Sequence, residues 1–235
     1  MAQKTGNAKN ILVGASPLFI SSVDSTDTVN YVNDAEPGST AAGAFASGTS
    51  YRDTLNGVTS GTYYYRNVGY TNNGLQITYN PTYGSVTVDQ LLDTAKLFKE
   101  SMEVMIATEM SEATLENTLV VFGQGTSTLT TESGFTTGTA NKTKTLGLAA
   151  GALGVAPTER QLIAVGQAPS TTDGDNNKST ERVYYARRVL SVQQSQFSLA
   201  RNAATTFPVT FRLLPSGESA YAGQEYGKII DRILA

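Results

Sequence analysis

Residues 99 to 123, KESMEVMIATEMSEATLENTLVVFG, crowd Glu100, Glu103, Glu109, Glu112 and Glu116 into one stretch. Paired carboxylates are the acid, base and nucleophile of glycoside hydrolysis, provided they stand about 5 to 9.5 Å apart. Glu103 and Glu109 are separated by five intervening residues, roughly 20 Å along a strand at about 3.3 Å per residue. Glu100 and Glu103 project to opposite faces of a regular strand. The spacing therefore predicts the wet face of a strand, not a catalytic pair.

Other candidate chemistry fails on its own terms. In DGDNNKSTE, Asp173, Asp175 and Asn177 alternate as in a calcium loop, but Lys178 stands where the turn glycine belongs and Tyr184 where the bidentate glutamate belongs. GQGTST, from Gly123, lacks the third glycine of a dinucleotide fingerprint and the lysine of a phosphate loop, and it follows a helical pattern instead of a strand. Asn141 and Asn177 fit the glycosylation pattern and are expected in surface loops. Arg182, Arg187 and Arg188 interleave with Tyr184 and Tyr185, residue types that also build single-strand nucleic-acid platforms. In an acidic chain they are expected to pack on a strand face and form ion pairs between subunits.

The sequence has no cysteine and no histidine. That removes disulfides, thiolate and imidazole metal ligands, cysteine nucleophiles and every triad with a histidine base. No metal, cofactor or small-molecule substrate is expected, and no enzymatic activity. The net charge of −3 argues against a phosphate-neutralising surface. Lys4 and Lys9 precede a short apolar run that outwardly resembles a signal peptide, but Gly14 and Pro17 interrupt it and no small-residue cleavage site follows; a first strand over 10–20 is expected instead. No stretch approaches the roughly 20 apolar residues of a membrane helix.

The elements that position these residues are mostly strands, since Thr, Ser, Gly and Tyr are abundant. Residues 21–60 form a Ser/Thr/Gly/Asp-rich loop longer than compact domains ordinarily carry, with Tyr31, Phe45 and Tyr51 available for burial against a partner. Asn73-Gly74 and Asn80-Pro81 punctuate a strand, turn, strand, turn, strand series. Alternation puts Val86 and Val88 on one face and Ser85, Thr87 and Asp89 on the other. In the next strand, Met102, Val104, Ile106 and Met110 oppose Ser101, Glu103 and Glu109. At Ser111 the period changes to that of a helix over about 111–122, with Ser111 as N-cap, Leu115, Leu119 and Phe122 on the inner face, and Gly123 as terminator. A loop-rich insertion over 124–158, further strands, and a C-terminal arm over 216–235 carrying Tyr221 and Tyr226 complete a single domain.

The order of these signals resembles the major tail tube proteins of long-tailed bacteriophages. NAKNILVGASPLFIS looks like that family's first strand, VGYTNNGLQITYNPTYGSVTVDQ its glycine-containing hairpin, EATLENTLVVFG its Thr-Leu-Glu-Asn helix, and FPVTFRLLPSGESAYAGQEYGKIID its last strand and terminal segment. The resemblance implies a β-sandwich or barrel subunit with one flanking helix, whose inner strands join those of other copies, six to a ring, in a continuous β-barrel. Rings then stack into a tail tube in the virion, assembled in the host cytoplasm, with the tape measure, terminator and tip proteins as partners and double-stranded DNA passing through. On that reading Ser85, Thr87, Asp89, Ser101, Glu103 and Glu109 line the channel, while Val86, Val88, Met102, Val104, Ile106, Leu115, Leu119 and Phe122 face the core. Tyr31, Phe45, Tyr51, Tyr221 and Tyr226 are the candidates for stacking rings. The alternatives are a carbohydrate-binding or fibre-type β-sandwich, or another virion protein such as a decoration protein or tail terminator.

Overall fold

The computed structural model describes residues 12, 14–22, 65–91, 93–135, 137–151, 153–154, 156–169, 180–192, 196–197, 199, 201–202 and 204–234. The described chain is mainly β. In order it runs β1 (Leu18–Ser21), β2 (Tyr65–Asn67), β3 (Thr71–Thr87), β4 (Thr94–Met110), α1 (Leu115–Val121), β5 (Leu129–Thr131), β6 (Lys144–Leu146), β7 (Arg160–Gln167), β8 (Thr180–Ser191), β9 (Phe207–Leu213) and β10 (Gly227–Ile233). One antiparallel sheet has the order β2-β1-β7-β8-β9-β4-β3, with β10 also on β8, and β5 and β6 form a separate pair. The sheet does not close: β2 and β3 stand at its two ends.

Strand β8 organises the molecule. One edge pairs with β7, while the other is shared, Thr180 to Ala186 with β10 and Val189 to Ser191 with β9. Beyond that division the β9-β4-β3 portion parts from β10. In the main core, Leu18, Ile20, Leu162, Ala164 and Val189 meet Val104, Ile106 and Met110 of β4, Phe207, Val209 and Phe211 of β9, and Leu119, Val120 and Val121 of α1. The odd positions Phe19, Ile163, Val165 and Val183 form a second cluster, as expected of central strands buried on both faces.

The helix begins later than its sequence signals predict. Thr114 is the N-cap, its hydroxyl accepting from Asn117 N at 3.2 Å. Ser111 instead donates its backbone N–H to Tyr70 O at 2.8 Å, and Glu112 Oε1 accepts from Tyr70 N at 3.1 Å. Residues 111–113 thus stitch β4 to the 68–70 connection before the helix starts. The stop at Gly123 is as expected: its φ of 64° lets Gly123 N bond Val120 O and Gln124 N bond Leu119 O.

Other boundaries also move. The first described strand is limited to Leu18–Ser21. The expected C-terminal arm contains β10, registered along β8 from Gly227↔Ala186 to Ile233↔Thr180. Gly227 makes this docking feasible, since a Cβ at its φ of 142° would sit 2.0 Å from Tyr185 O. The insertion carries the β5–β6 pair, tied to the helix by an ion pair between Lys144 and Glu116.

Candidate assembly surface on a long hairpin

The largest sequence-predicted feature is the hairpin of β3 and β4. Each strand has 17 residues, an extended length of about 55 Å. Asn73 and Gly74, at φ of 60° and 67°, do not turn the chain; they form a bulge where the ladder shifts between Asn72 and Gln76. Glu109 holds it, accepting from Asn73 Nδ2 at 2.6 Å, Asn72 Nδ2 at 3.4 Å and the Thr206 hydroxyl, while the Thr108 hydroxyl donates to Gly74 O at 3.0 Å. Pro81 continues the strand, paired with Met102. The actual reversal follows β3, where Leu91 N bonds Val88 O at 3.1 Å and Asp93 Oδ1 accepts from Thr94 N at 2.7 Å.

Register divides the expected channel-lining set. Directly paired residues share a face, so Glu103 lies with Asn80 and Ser101 with Thr82. Ser85 pairs with Leu97 and Thr87 with Thr94. Alternation along β3 places Ser85 and Thr87 on the face of Tyr79 and Tyr83, opposite that of Asn80 and Glu103. The separation follows from β3 itself, where Ser85 lies an odd number of residues from Asn80; the irregularities between Thr82 and Tyr83 and between Val86 and Thr87, each adding one residue on the β4 side, only change which β4 residues lie opposite. Asp89 lies in the turn. Glu103 forms an ion pair with Arg212 at 3.6 Å, and Glu109 is occupied at the bulge.

The core-facing set divides similarly. Val104, Ile106 and Leu119 are buried, and Met102 and Leu115 are half-buried. Val86 and Val88, expected in the core, are exposed, because among the described residues no layer covers the distal half of the hairpin. Phe122, also expected there, is the C-cap of α1 and exposed; its ring stacks on Phe197 at 6.1 Å. Beside Val86 and Val88, the distal hairpin also exposes Tyr83, Leu91, Leu97 and Phe98. The Phe98 ring covers Gly84, whose Cβ would meet it at 2.6 Å.

A mainly apolar cleft of about 390 Å³ opens where the sheet divides, with Ile77, Tyr79, Val104 and Ile106 on the hairpin side, Tyr184, Tyr185, Lys228 and Ile229 on the β8–β10 side, and Leu213 and Tyr226 between. Sequence reasoning did not find it. Its walls are distant in sequence, and Tyr184 and Ile229 read as ordinary strand residues.

At the base of the hairpin, Thr114 of the Thr-Leu-Glu-Asn stretch caps the helix, while Glu116 and Asn117 each hold a neighbouring segment. Asn117 is fully buried; its Nδ2 donates to Val68 O and Glu112 O, both at 2.9 Å, and its Oδ1 accepts from Arg66 Nη1 at 2.6 Å. Burial pushes the Arg66 guanidinium down to about 10, opposed by Glu116. Glu116 is itself below the usual carboxylate range: burial would raise it, but the hydrogen bond from Lys144 outweighs that together with the other favourable contacts. The Thr-x-x-Asn spacing was the legible signal for this junction, because it places an N-cap hydroxyl three residues before a side chain able to return to the preceding loop.

The arginines expected to bridge subunits have partners within the chain. Arg182 makes two bonds to Asp231, at 2.5 and 2.6 Å, and Arg188 two to Glu159, both at 2.7 Å. Arg187 is fully buried, with its guanidinium 3.7 Å from the Tyr221 ring centre and 5.4 Å from that of Tyr185. Tyr221 is thus engaged internally, as is Tyr226, whose hydroxyl donates to Met102 O at 3.4 Å. Tyr31, Phe45 and Tyr51, and the acidic loop with Asp173, Asp175 and Asn177, lie outside the described residues. Asn141 sits in an exposed turn with φ of 61°.

Among the described residues no group of three or more acidic side chains is placed to hold a metal ion, and no helix is long and apolar enough to cross a membrane. Compared with known proteins, the chain matches no protein-family model and no curated sequence.

Proposed function

We propose that this protein is a self-assembling structural subunit, and that copies join through the β3–β4 hairpin into rings that stack as a tube for the passage of double-stranded DNA. The observation that carries this reading is the hairpin itself: 17-residue strands, a distal half exposed on both faces, and an outer β3 edge without a partner strand among the described residues. An isolated two-stranded hairpin is marginal in water, and a long open edge invites another strand. Lateral pairing between copies answers both problems. The resemblance of the sequence to tail tube proteins supplies the ring-and-tube geometry and the expected partners: tape measure, terminator and tip proteins.

On this reading Thr78, Asn80, Thr82, Ser101 and Glu103, which share one face of the hairpin, are the polar residues offered to a channel. Glu103 is compensated by Arg212, so this wall would be polar and weakly interacting more than strongly repulsive. Low affinity for phosphate is what a passing genome requires.

Electron microscopy of the concentrated protein, alone and seeded with purified tail tips, tests the proposal. Hollow tubes of uniform width support it; a strict monomer that also fails to extend the tips overturns it and favours a binding module. A Glu103→Lys virus should assemble but eject DNA more slowly, since each added lysine strengthens salt-sensitive phosphate contact.

A further inference from the structure

The chain presents two unpartnered apolar surfaces of complementary form. One is a protrusion, the distal hairpin with Val86, Leu91, Leu97 and Phe98 exposed. The other is the cleft of about 390 Å³ beneath Ile229 and Tyr184. They cannot meet within one molecule. Ile77 lines the cleft and Val88 ends the protrusion, eleven residues along the same arm, or about 36 Å of paired strand. The ladder continues from Ile77↔Ile106 to Thr87↔Thr94, with two bulges but no reversal.

We propose that the distal hairpin of one copy seats its apolar side chains in the β10-side cleft of a second copy. This rests on the assembly reading above and adds its contact. Two features favour a second copy of this chain as the occupant. Protrusion and cleft are different surfaces, so their contact is heterologous, the type that propagates into rings or stacks instead of stopping at a dimer. Size is the second. A pocket of this volume suits a few large side chains, while the open edge of β3 begins beside Ile77 and can extend the contact toward the roughly 800 Å² per partner that stable association needs.

The absence of native cysteine gives a direct test. Leu97→Cys and Ile229→Cys are made in separately tagged full-length chains, at positions 65% and 64% exposed, so folding should be retained and is checked by circular dichroism. The chains are mixed, assembled and treated with a short bismaleimide. Cross-linking of Leu97→Cys to Ile229→Cys should exceed that of Leu97→Cys to a Leu153→Cys control by about a hundredfold, the gain expected from millimolar local concentration. Tubes or rings seen by electron microscopy without that preferential cross-link overturn the proposed contact and leave assembly standing. Dominant linkage between two Leu97→Cys chains overturns it in favour of tip-to-tip packing. Absence of any assembled species by sedimentation, for wild type included and with purified tail tips added, overturns both.

Discussion

Asn117→Leu removes the side chain that joins the helix to the base of the hairpin. The substitution keeps the branching of the side chain, adds the bulk of two methyl groups, and strands three groups: Val68 O, which is buried, Glu112 O, and the Arg66 guanidinium, whose Nη1 retains only a 3.4 Å bond to Asn67 O and whose Nη2 has no partner. An unsatisfied buried group costs about 1 to 3 kcal/mol, and more when charged, so the sum is about 4 kcal/mol. For a chain of this size that corresponds to a fall in Tm of about 8 to 16 °C. Asn117→Asp separates the contributions. It retains an acceptor for Arg66 but turns an oxygen toward both carbonyls, and should fall between wild type and Asn117→Leu at neutral pH. Adding Arg66→Leu to Asn117→Leu should cost less than the sum of the single changes, because the guanidinium no longer remains buried without its partner. Calorimetry and urea unfolding give the values. A loss for Asn117→Leu of less than about 0.5 kcal/mol, the range of an ordinary surface change, would refute the assignment of this junction as a cooperative hydrogen-bonded unit.

Gly69→Ala should destabilise by at least about 1 kcal/mol, since φ is 84° and a Cβ would lie 2.0 Å from the Glu112 carboxyl carbon; adding Glu112→Ala should recover only part of the loss in a thermal melt. Gly227→Ala should release β10, read as increased amide exchange in residues 180–186 while β9 keeps its protection, because the new Cβ meets Tyr185 O. Glu116 and Asp231 both titrate below their ordinary values, Asp231 through its bond from Arg182 and Glu116 through that from Lys144 against the cost of burial. Their contribution is therefore full above about pH 4.3, the ordinary Glu value, and disappears as pH falls through the lower folded values. Lys144→Ala should flatten the Glu116 part of that acid loss in stability measured against pH. Leu97→Glu with Phe98→Glu should leave Tm within a few degrees yet suppress assembly measured by light scattering, as both side chains are already exposed in the single chain.

Particular residues show how far sequence reasoning reached. The alternation of Val104, Ile106 and Met110 identified a buried strand face because those positions lie over the core, where period-two patterning and burial coincide. The same alternation at Val86 and Val88 misled, because burial needs a second layer and the hairpin extends past its own. Asn73-Gly74 has the chemistry of a two-residue turn, but two consecutive left-handed residues also satisfy a bulge, and only the partner strand decides between them. The polar faces of the two strands were joined without knowledge of their register: Glu103 pairs with Asn80, and Ser85 lies an odd number of residues from Asn80 along β3, on the other face. Ser111 and Thr114 are both competent caps; Glu112, bonded back to Tyr70 N, selects the later one. The cleft was illegible because its walls come from β3, β4, β8 and β10, and no local pattern records that a sheet divides there.

The shared edge of β8 has a mechanical meaning. A pull on the hairpin passes from β4 into β9 through six registered pairs, Met105↔Arg212 to Met110↔Phe207, but enters β8 through only Val189↔Leu213, Leu190↔Arg212 and Ser191↔Phe211. Seven pairs hold β10 to the same strand a few residues away. Even with Val192 N to Thr210 O and Leu214 N to Arg188 O added, the β8–β9 ladder is the shortest in that path, flanked by longer ladders on either side. In a tube built through the hairpins, bending and torsion would concentrate at this ladder in every subunit, letting the wall flex by small rotations while strand pairing within the flanking ladders remains intact.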